Sequence, residues 1–324
     1  MLTDAQWQAA ADAIDAAHSI LVVSHIAPDG DAIGSLLGLA LSLRARGKAV
    51  TAAIDDGVPS ALRFVPDSES IVSTVSAGEF DLLIAVDSSD ISRIGKAGAF
   101  GLEHSERAIN LDHHPTNTRY GDIHLIVPEA VAAVEIVYDY LAFMGDEISQ
   151  DVAIALLTGL VTDTQGFRIS ATNSRTLEIA QDLMHRGASL SQIMANTLNS
   201  RPYKEVELWK RALQSVTLDR GLIWATIRQC DIDRVGLKTA SDGGLVSYLV
   251  NVVQAKVSVV FRELPDNKVE VGFRAKPGYD VASLALELGG GGHTLASGCT
   301  LNGSLQQAQS TVLPLARRAI IQGG

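Results

Sequence analysis

The sequence predicts an α/β protein of two domains, the first and larger built on a mostly parallel, helix-covered sheet. Three observations carry this. Short apolar runs at Ser19–Ser24, Ala49–Ile54, Asp81–Val86 and Ala108–Leu111 alternate with longer helical patterns, as a parallel sheet with crossover helices requires. A chain of 324 residues is long enough for two cores. The charge also divides: residues 1–214 hold 15 Lys/Arg against 28 Asp/Glu, whereas residues 215–324 hold 11 against 9. The expected organisation is a first domain over 1–190, a helical connector over 191–214 and a smaller α/β domain over 215–324.

In chain order, Thr3 or Asp4 caps a helix running to about Ala17. The strand at Ser19–Ser24 ends in His25-Ile26-Ala27-Pro28-Asp29-Gly30-Asp31, and a helix follows from Ala32 to Arg46, stopped by Gly47. The strand at Asp81–Val86 ends in Asp87-Ser88-Ser89-Asp90. The strand at Ala108–Leu111 delivers Asp112-His113-His114-Pro115, and Ile123–Val127 adds another. The pattern then turns helical over Ala130–Met144 and Gln150–Val161, the second leading into Thr162-Asp163-Thr164. Helices continue over Asn173–His185, Leu190–Asn196 and Tyr203–Leu213. In the second domain, strands at Ser215–Leu218 and Leu222–Ile227 precede a helix at Leu245–Val253. A hairpin joins Lys256–Leu264 to Lys268–Arg274 through Pro265-Asp266-Asn267, which sets Arg262 across from Glu270. A short helix at Val281–Leu288 leads into Gly289-Gly290-Gly291-Gly292-His293, and a helix from Leu305 to about Ile320 closes the chain.

Composition excludes several classes. A hydrophobic content of 47% with 9 Pro describes a folded chain. A net charge of −11 argues against gripping long duplex nucleic acid, which takes many Lys/Arg–phosphate contacts. No apolar run reaches membrane-span length, and Met1–Ala11 lacks the pattern of a signal peptide. Cys230 and Cys299 form no metal spacing and read as two buried thiols in the reducing cytoplasm.

The chemistry lies where apolar runs end. In open α/β sheets, ligands bind beyond the carboxyl ends of the strands. Asp112-His113-His114 offers oxygen and nitrogen donors suited to Mn²⁺, Fe²⁺ or Zn²⁺. Alone the triplet is a weak signal, as is Asp29-Gly30-Asp31 with His25, which equally describes a capped turn. Asp87 and Asp163 repeat the setting. Five such clusters in one domain are hard to assign to chance, and a binuclear site needs several carboxylates to offset four positive charges. The glycine run before His293 is either a plain turn or a row of N–H groups that cradles an anion. Arg262 and Arg274 either contact phosphate, stack on a base, or pair with Glu263 or Glu270.

His25-x-x-Pro28-Asp29-x-Asp31, Asp87, Asp112-His113-His114, Asp163 and Gly289-Gly290-Gly291-Gly292-His293 occur together and in order. This set resembles the DHH/DHHA1 branch of the DHH phosphoesterases, in its compact nanoRNase or oligoribonuclease–pAp phosphatase form. The resemblance implies a DHH domain followed by a DHHA1 domain, and two Mn²⁺ ions with Mg²⁺ or Co²⁺ as substitutes. His25, Asp29 and Asp87 would hold one ion; Asp31, Asp87, His113 and Asp163 the other, with Asp87 bridging. Asp112 would orient His113 or join the ligands, and His114 would touch the scissile phosphate. Gly290, Gly291, Gly292 and His293, with Arg262 and Arg274, would bind substrate.

The implied activity trims RNA of two to five nucleotides to 5′-mononucleotides and dephosphorylates 3′-phosphoadenosine 5′-phosphate (pAp), in a cytoplasmic homodimer. The rival enzyme is a phosphodiesterase for cyclic di-AMP or its linear product pApA, with the same chemistry in a different pocket. A nucleotide-sensing module without catalysis would be marked by lost metal ligands, and here every motif position is present.

Overall fold

The structure, a computed structural model, describes residues 2–237 and 242–323. The chain divides into two compact units, Met1–Ser200 and Arg201–Gly324. The first contains α1 (Asp4–Ala16), β1 (Ser19–Val23), α2 (Gly30–Ala45), β2 (Ala49–Ala53), β3 (Phe80–Val86), α3 (Gly95–Glu103), β4 (Ser105–Asp112), β5 (Ile123–Ile126), α4 (Ala133–Met144), α5 (Gln150–Asp163), α6 (Ser174–His185) and α7 (Leu190–Asn196).

Its five strands are all parallel, in the order β2-β1-β3-β4-β5. The chain leaves β1 toward one edge and β3 toward the other, so a crevice opens at their carboxyl ends. Both central strands are buried on both faces, which is why they read as continuous apolar runs. Ile20, Val22 and Ile84 face the layer formed by α1, α2, α4 and α5; Leu21, Val23, Leu83 and Ala85 face α3.

Helix starts follow local chemistry. Thr3 and Gln6 form a capping box at α1, Asp29 caps α2 and Ser149 caps α5. The residue before α4, Ala132, provides no cap, so the first amides of α4 need an acceptor from elsewhere. Helices α2 and α5 meet at glycines: a Cβ on Gly34 would lie 2.5 Å from the Ala155 carbonyl oxygen and 2.9 Å from the Gly159 nitrogen.

The second unit contains α8 (Tyr203–Ala212), β6 (Thr217–Asp219), β7 (Leu222–Ile227), α9 (Gln229–Val235), α10 (Leu245–Val250), β8 (Val257–Leu264), β9 (Lys268–Ala275), α11 (Ala282–Glu287), β10 (Gly291–His293), β11 (Ala296–Asn302) and α12 (Leu305–Gln322). Its six strands run β10-β11-β9-β8-β7-β6, antiparallel except for β7 with β8. The hairpin register is the expected one, with Arg262 paired to Glu270 and Val259, Phe261, Val271 and Phe273 buried on the opposite face. Asp266 and Asn267 take left-handed conformations in its three-residue loop, which Asp and Asn tolerate.

Four differences from the sequence expectation have physical causes. The second half of the Gly289–His293 run is the edge strand β10, paired with β11, so the expected loop of free N–H groups is partly a ladder. Glycine carries no strand preference, and pairing imposes one. Helix α3, with Gly98 and Gly101 inside it and no side-chain cap, has no sequence signal of its own. Cys230 is exposed rather than buried, because it sits in the short helix α9, which the hydrophobic pattern did not reveal. The 191–214 stretch is shared out: α7 packs on α5, and α8 packs on β7 and α9. Among the described residues, no helix is long and apolar enough to cross a membrane.

Replacing Gly34 by Val forces two backbones apart, an overpacking that costs on the order of 3 kcal/mol. A urea titration should show a clearly lower midpoint; an unchanged midpoint would mean that α2 and α5 separate freely.

Candidate metal centre

Eight of the predicted side chains converge at the carboxyl end of the parallel sheet. His25 follows β1 and Asp87 follows β3. Asp112 ends β4 with His113 and His114 just beyond, Asp29 and Asp31 sit at the start of α2, and Asp163 is the last residue of α5. His25 Nε2 lies 3.4 Å from Asp87 Oδ2 and 3.9 Å from Asp29 Oδ1. His113 Nε2 lies 3.6 Å from Asp87 Oδ1, 3.7 Å from Asp163 Oδ2 and 3.8 Å from Asp31 Oδ2. Asp87 touches both groups, one oxygen facing each.

These separations are long for hydrogen bonds. Two donors each about 2.1 Å from one ion stand roughly 3–3.5 Å apart, so the spacing suits a shared cation after slight contraction. Asp87 Oδ1 is buried with no hydrogen-bond partner among the described residues. A buried carboxylate oxygen in that state is expensive unless a cation faces it. The donor set, carboxylate oxygen with imidazole nitrogen, is that of a divalent transition metal, and the residues fit such a group.

Surrounding contacts hold the donors in place. Asp31 accepts from the amides of Ala133 (2.6 Å) and Val134 (3.0 Å), and so supplies the cap that α4 lacks. Asp29 accepts from the amides of Asp31 and Ala32, so it is both helix cap and cluster member. His113 Nδ1 lies 3.3 Å from the Ala130 carbonyl, which leaves Nε2 toward the carboxylates. The expected partnership of Asp112 with His113 is corrected: Asp112 Oδ1 accepts from His114 Nδ1 at 2.8 Å. Residues two apart leaving an extended strand face the same side, so 112 meets 114 and not 113.

The electrostatics are those of too many carboxylates in too little water. Burial, followed by repulsion from Asp87, Asp163 and Asp29, holds the Asp31 carboxyl well above its usual range despite its amide bonds. Burial and Asp29 do the same to Asp87. Asp163 is pushed up to about 7 by burial and Asp29, and the carbonyl end of α5 disfavours its charge further. Burial, then His114, pushes His113 down to about 4. The hydrogen bond to Asp112 raises His114. Asp112 is buried, but its bonds from His114 and Asn117 outweigh that and keep it below the usual carboxylate range.

Three contributors escaped the sequence reading. Asn117 donates to Asp112 Oδ2 at 2.6 Å and to the Ser88 carbonyl, tying the β3 and β4 ends together. Arg93 places a guanidinium nitrogen 3.2 Å from His25 Nδ1. Gly159 makes room for Asp31, since a Cβ there would sit 3.0 Å from its Oδ1. A second Asn five residues past Asp112 was the available signal for Asn117; the other two depend on tertiary approach.

The remaining predicted residues lie in the second unit. Arg262, Arg274 and Gly290 line a cavity of about 600 Å³. Gly291, Gly292 and His293 are exposed on β10. Arg262 is paired with Glu270.

A carboxylate–imidazole cluster at the switch point of a parallel sheet, joined in one chain to a smaller mixed-sheet unit, defines a metal-dependent hydrolase. The chain belongs to the DHH/DHHA1 phosphoesterase family: residues 19–160 match the DHH family N-terminal domain and residues 231–319 the DHHA1 domain. It is 34% identical over 311 residues to the bifunctional oligoribonuclease and PAP phosphatase NrnA of Thermus thermophilus, covering 94% of this chain and 91% of that one. The protein of the same name from Bacillus subtilis is 29% identical over 292 residues, covering 87% and 89%. The solved structure of an exopolyphosphatase-related protein from Bacteroides fragilis superposes with a TM-score of 0.88 at 24% identity, covering 99% of this chain and 98% of that one, and shows the same fold.

The raised carboxyls give metal-free protein a distinctive pH response. Each contributes stability that is complete below its unfolded value of about 3.9 and is lost as pH rises through its folded value. For Asp163 that loss runs from about 4 and is complete just above about 7, and Asp31, Asp87 and His114 act in the same direction. His113, down at about 4, opposes them below pH 6.5 as one group against several. The melting temperature of chelator-treated protein should therefore fall between pH 5 and 8, and saturating Mn²⁺ should remove the fall. A flat profile without metal would contradict the crowding of charge.

Proposed function

We propose that this chain is a Mn²⁺-dependent phosphoesterase that hydrolyses very short oligoribonucleotides to 5′-mononucleotides and dephosphorylates pAp. The observation that carries the proposal is Asp87, buried, with one oxygen toward each imidazole-bearing group and one oxygen lacking a partner. The substrates are those printed in the names of the relatives.

His25, Asp29 and Asp87 would hold one ion, and Asp31, Asp87, His113 and Asp163 the other. Mn²⁺ suits a mixed oxygen and nitrogen set, with Mg²⁺ or Co²⁺ as substitutes. Such ions, when bound, supply activation of water near neutral pH and neutralisation of phosphoryl charge. The chain's own part is positioning and proton placement. Asp112 keeps a proton on His114 Nδ1, and the raised pKa favours a second on Nε2. His114 then offers an N–H to a phosphate oxygen as negative charge builds there. Asn117 occupies the other oxygen of Asp112, so Asp112 is committed to His114. Burial around Asp31 and Asp87 excludes bulk water and strengthens each of these interactions.

We further propose a homodimer, on family resemblance, and a cytoplasmic location, where the unpaired Cys230 and Cys299 stay reduced.

A product time course on 5′-labelled di- and pentanucleotides, beside pAp and cyclic di-AMP, tests the proposal. Dinucleotide and pAp should be consumed fastest; faster loss of cyclic di-AMP would favour the rival phosphodiesterase. Asp87→Ala should reduce turnover by more than the roughly 100-fold that loss of an outer partner costs, together with bound metal. Near-normal rates would remove Asp87 from the centre.

A further inference from the structure

Arg93 stands at the edge of the carboxylate cluster with nothing beside it that uses its charge. It ends a 3₁₀ turn, Ile91–Arg93, which follows β3 and is capped by Asp90. The Arg93 carbonyl accepts from the Ile26 amide at 2.8 Å, and this stitches the turn to the loop that carries His25. The same approach brings Arg93 Nη2 to 3.2 Å from His25 Nδ1.

That contact cannot be a hydrogen bond in the form of His25 that would hold an ion. His25 turns Nε2 toward Asp87 (3.4 Å) and Asp29 (3.9 Å), so Nε2 is the ligating atom and the ring proton belongs on Nδ1. The Ile26 carbonyl, 2.8 Å from Nδ1, is the acceptor for that proton. A guanidinium only donates, so Arg93 Nη2 then faces another donor.

The carboxylates on neighbouring turns are committed to other groups. Asp90 accepts from the Ser92 amide (2.8 Å) and hydroxyl (2.6 Å), and Asp56 from the Ala27 amide (2.6 Å). Asp55 accepts from the amides of Lys96 (2.6 Å) and Ala97 (3.0 Å). Among the described residues, no carboxylate lies within 4.0 Å of the Arg93 guanidinium. Arg44, Arg46, Arg175 and Arg186 of the same unit each have one. An exposed guanidinium kept clear of acids in a unit rich in them is free for an incoming anion.

Its place relative to Asp87 indicates which anion. His25, with Arg93 behind it, faces Asp87 Oδ2, whereas His113 and His114 each lie 3.6 Å from Oδ1. Arg93 and His114 therefore flank the buried carboxylate from opposite sides, one on the turn after β3 and one on the loop after β4.

We propose that Arg93 grips a phosphate oxygen of the substrate from the β3 side of the centre, opposite His114. The inference rests on the phosphoesterase reading for the nature of the ligand. It makes Arg93 a substrate contact and not a support for His25.

Calorimetric titration of Mn²⁺ into the full chain, and then of inorganic phosphate into the Mn²⁺-loaded protein, tests this. Arg93→Ala should weaken phosphate at least tenfold and leave Mn²⁺ affinity within twofold. Arg93→Lys, which keeps the charge without the fork, should recover part of the loss, and millimolar guanidinium should restore phosphate binding to Arg93→Ala. Unchanged phosphate affinity in Arg93→Ala would overturn the proposal. So would a tenfold fall in its Mn²⁺ affinity, the mark of a residue that orients His25, or an unmodified protein that binds no phosphate. Turnover of pAp, followed in parallel, separates the two ideas. Arg93-dependent phosphate binding without turnover removes the phosphoesterase and keeps the anion contact; turnover with a KM that Arg93→Ala leaves within twofold removes only the contact.

Discussion

The first unit is organised around a repulsion that it does not itself resolve. Asp87 is 2% exposed, adopts a left-handed backbone conformation at φ 52°, and faces Asp29, Asp31, Asp112 and Asp163, of which Asp31 and Asp112 are buried with it. Buried like charges raise one another's pKa because neither can be solvated. Asp112 is the exception, satisfied by His114 and Asn117 and held ionised. Asp31, Asp87 and Asp163 are the ones held above the usual range. Retaining so unfavourable a cluster makes sense only where a cation of high charge completes it.

The scaffold meets this demand by using each anchor twice. Asp31 faces the cluster and caps α4; Asp29 faces it and caps α2. Removing either carboxylate therefore loosens a helix as well as the cluster. His113 and His114 are oriented by unlike partners, a carbonyl and a carboxylate; burial and His114 push His113 toward its neutral form, while the bond to Asp112 pushes His114 toward its protonated one. Sequence neighbours thereby acquire different chemistry.

Much of this was legible in the sequence. The strand ends that deliver His25, Asp87 and Asp112 follow apolar runs whose burial on both faces leaves little ambiguity. The Arg262–Glu270 register followed from sorting charge from core along the hairpin. What escaped depends on approach in space. Asn117 earns its place only once β3 and β4 are adjacent, and the choice of His114 by Asp112 depends on which way the chain leaves β4. β10 escaped because a run of glycines has no pattern to read, and β11 because its small and polar residues around Cys299 show no strong apolar alternation; their pairing shows both.

The contact between α2 and α5 has a reach beyond stability. Asp31 lies in the first turn of α2 and Asp163 closes α5, while Gly30 approaches Thr162 so closely that no side chain would fit there. The distance between two carboxylates is thus set by how near two helices can come. Glycine contacts away from the cluster therefore set how far apart its carboxylates stand, and a side chain added at one of them would be felt at the cluster without touching it.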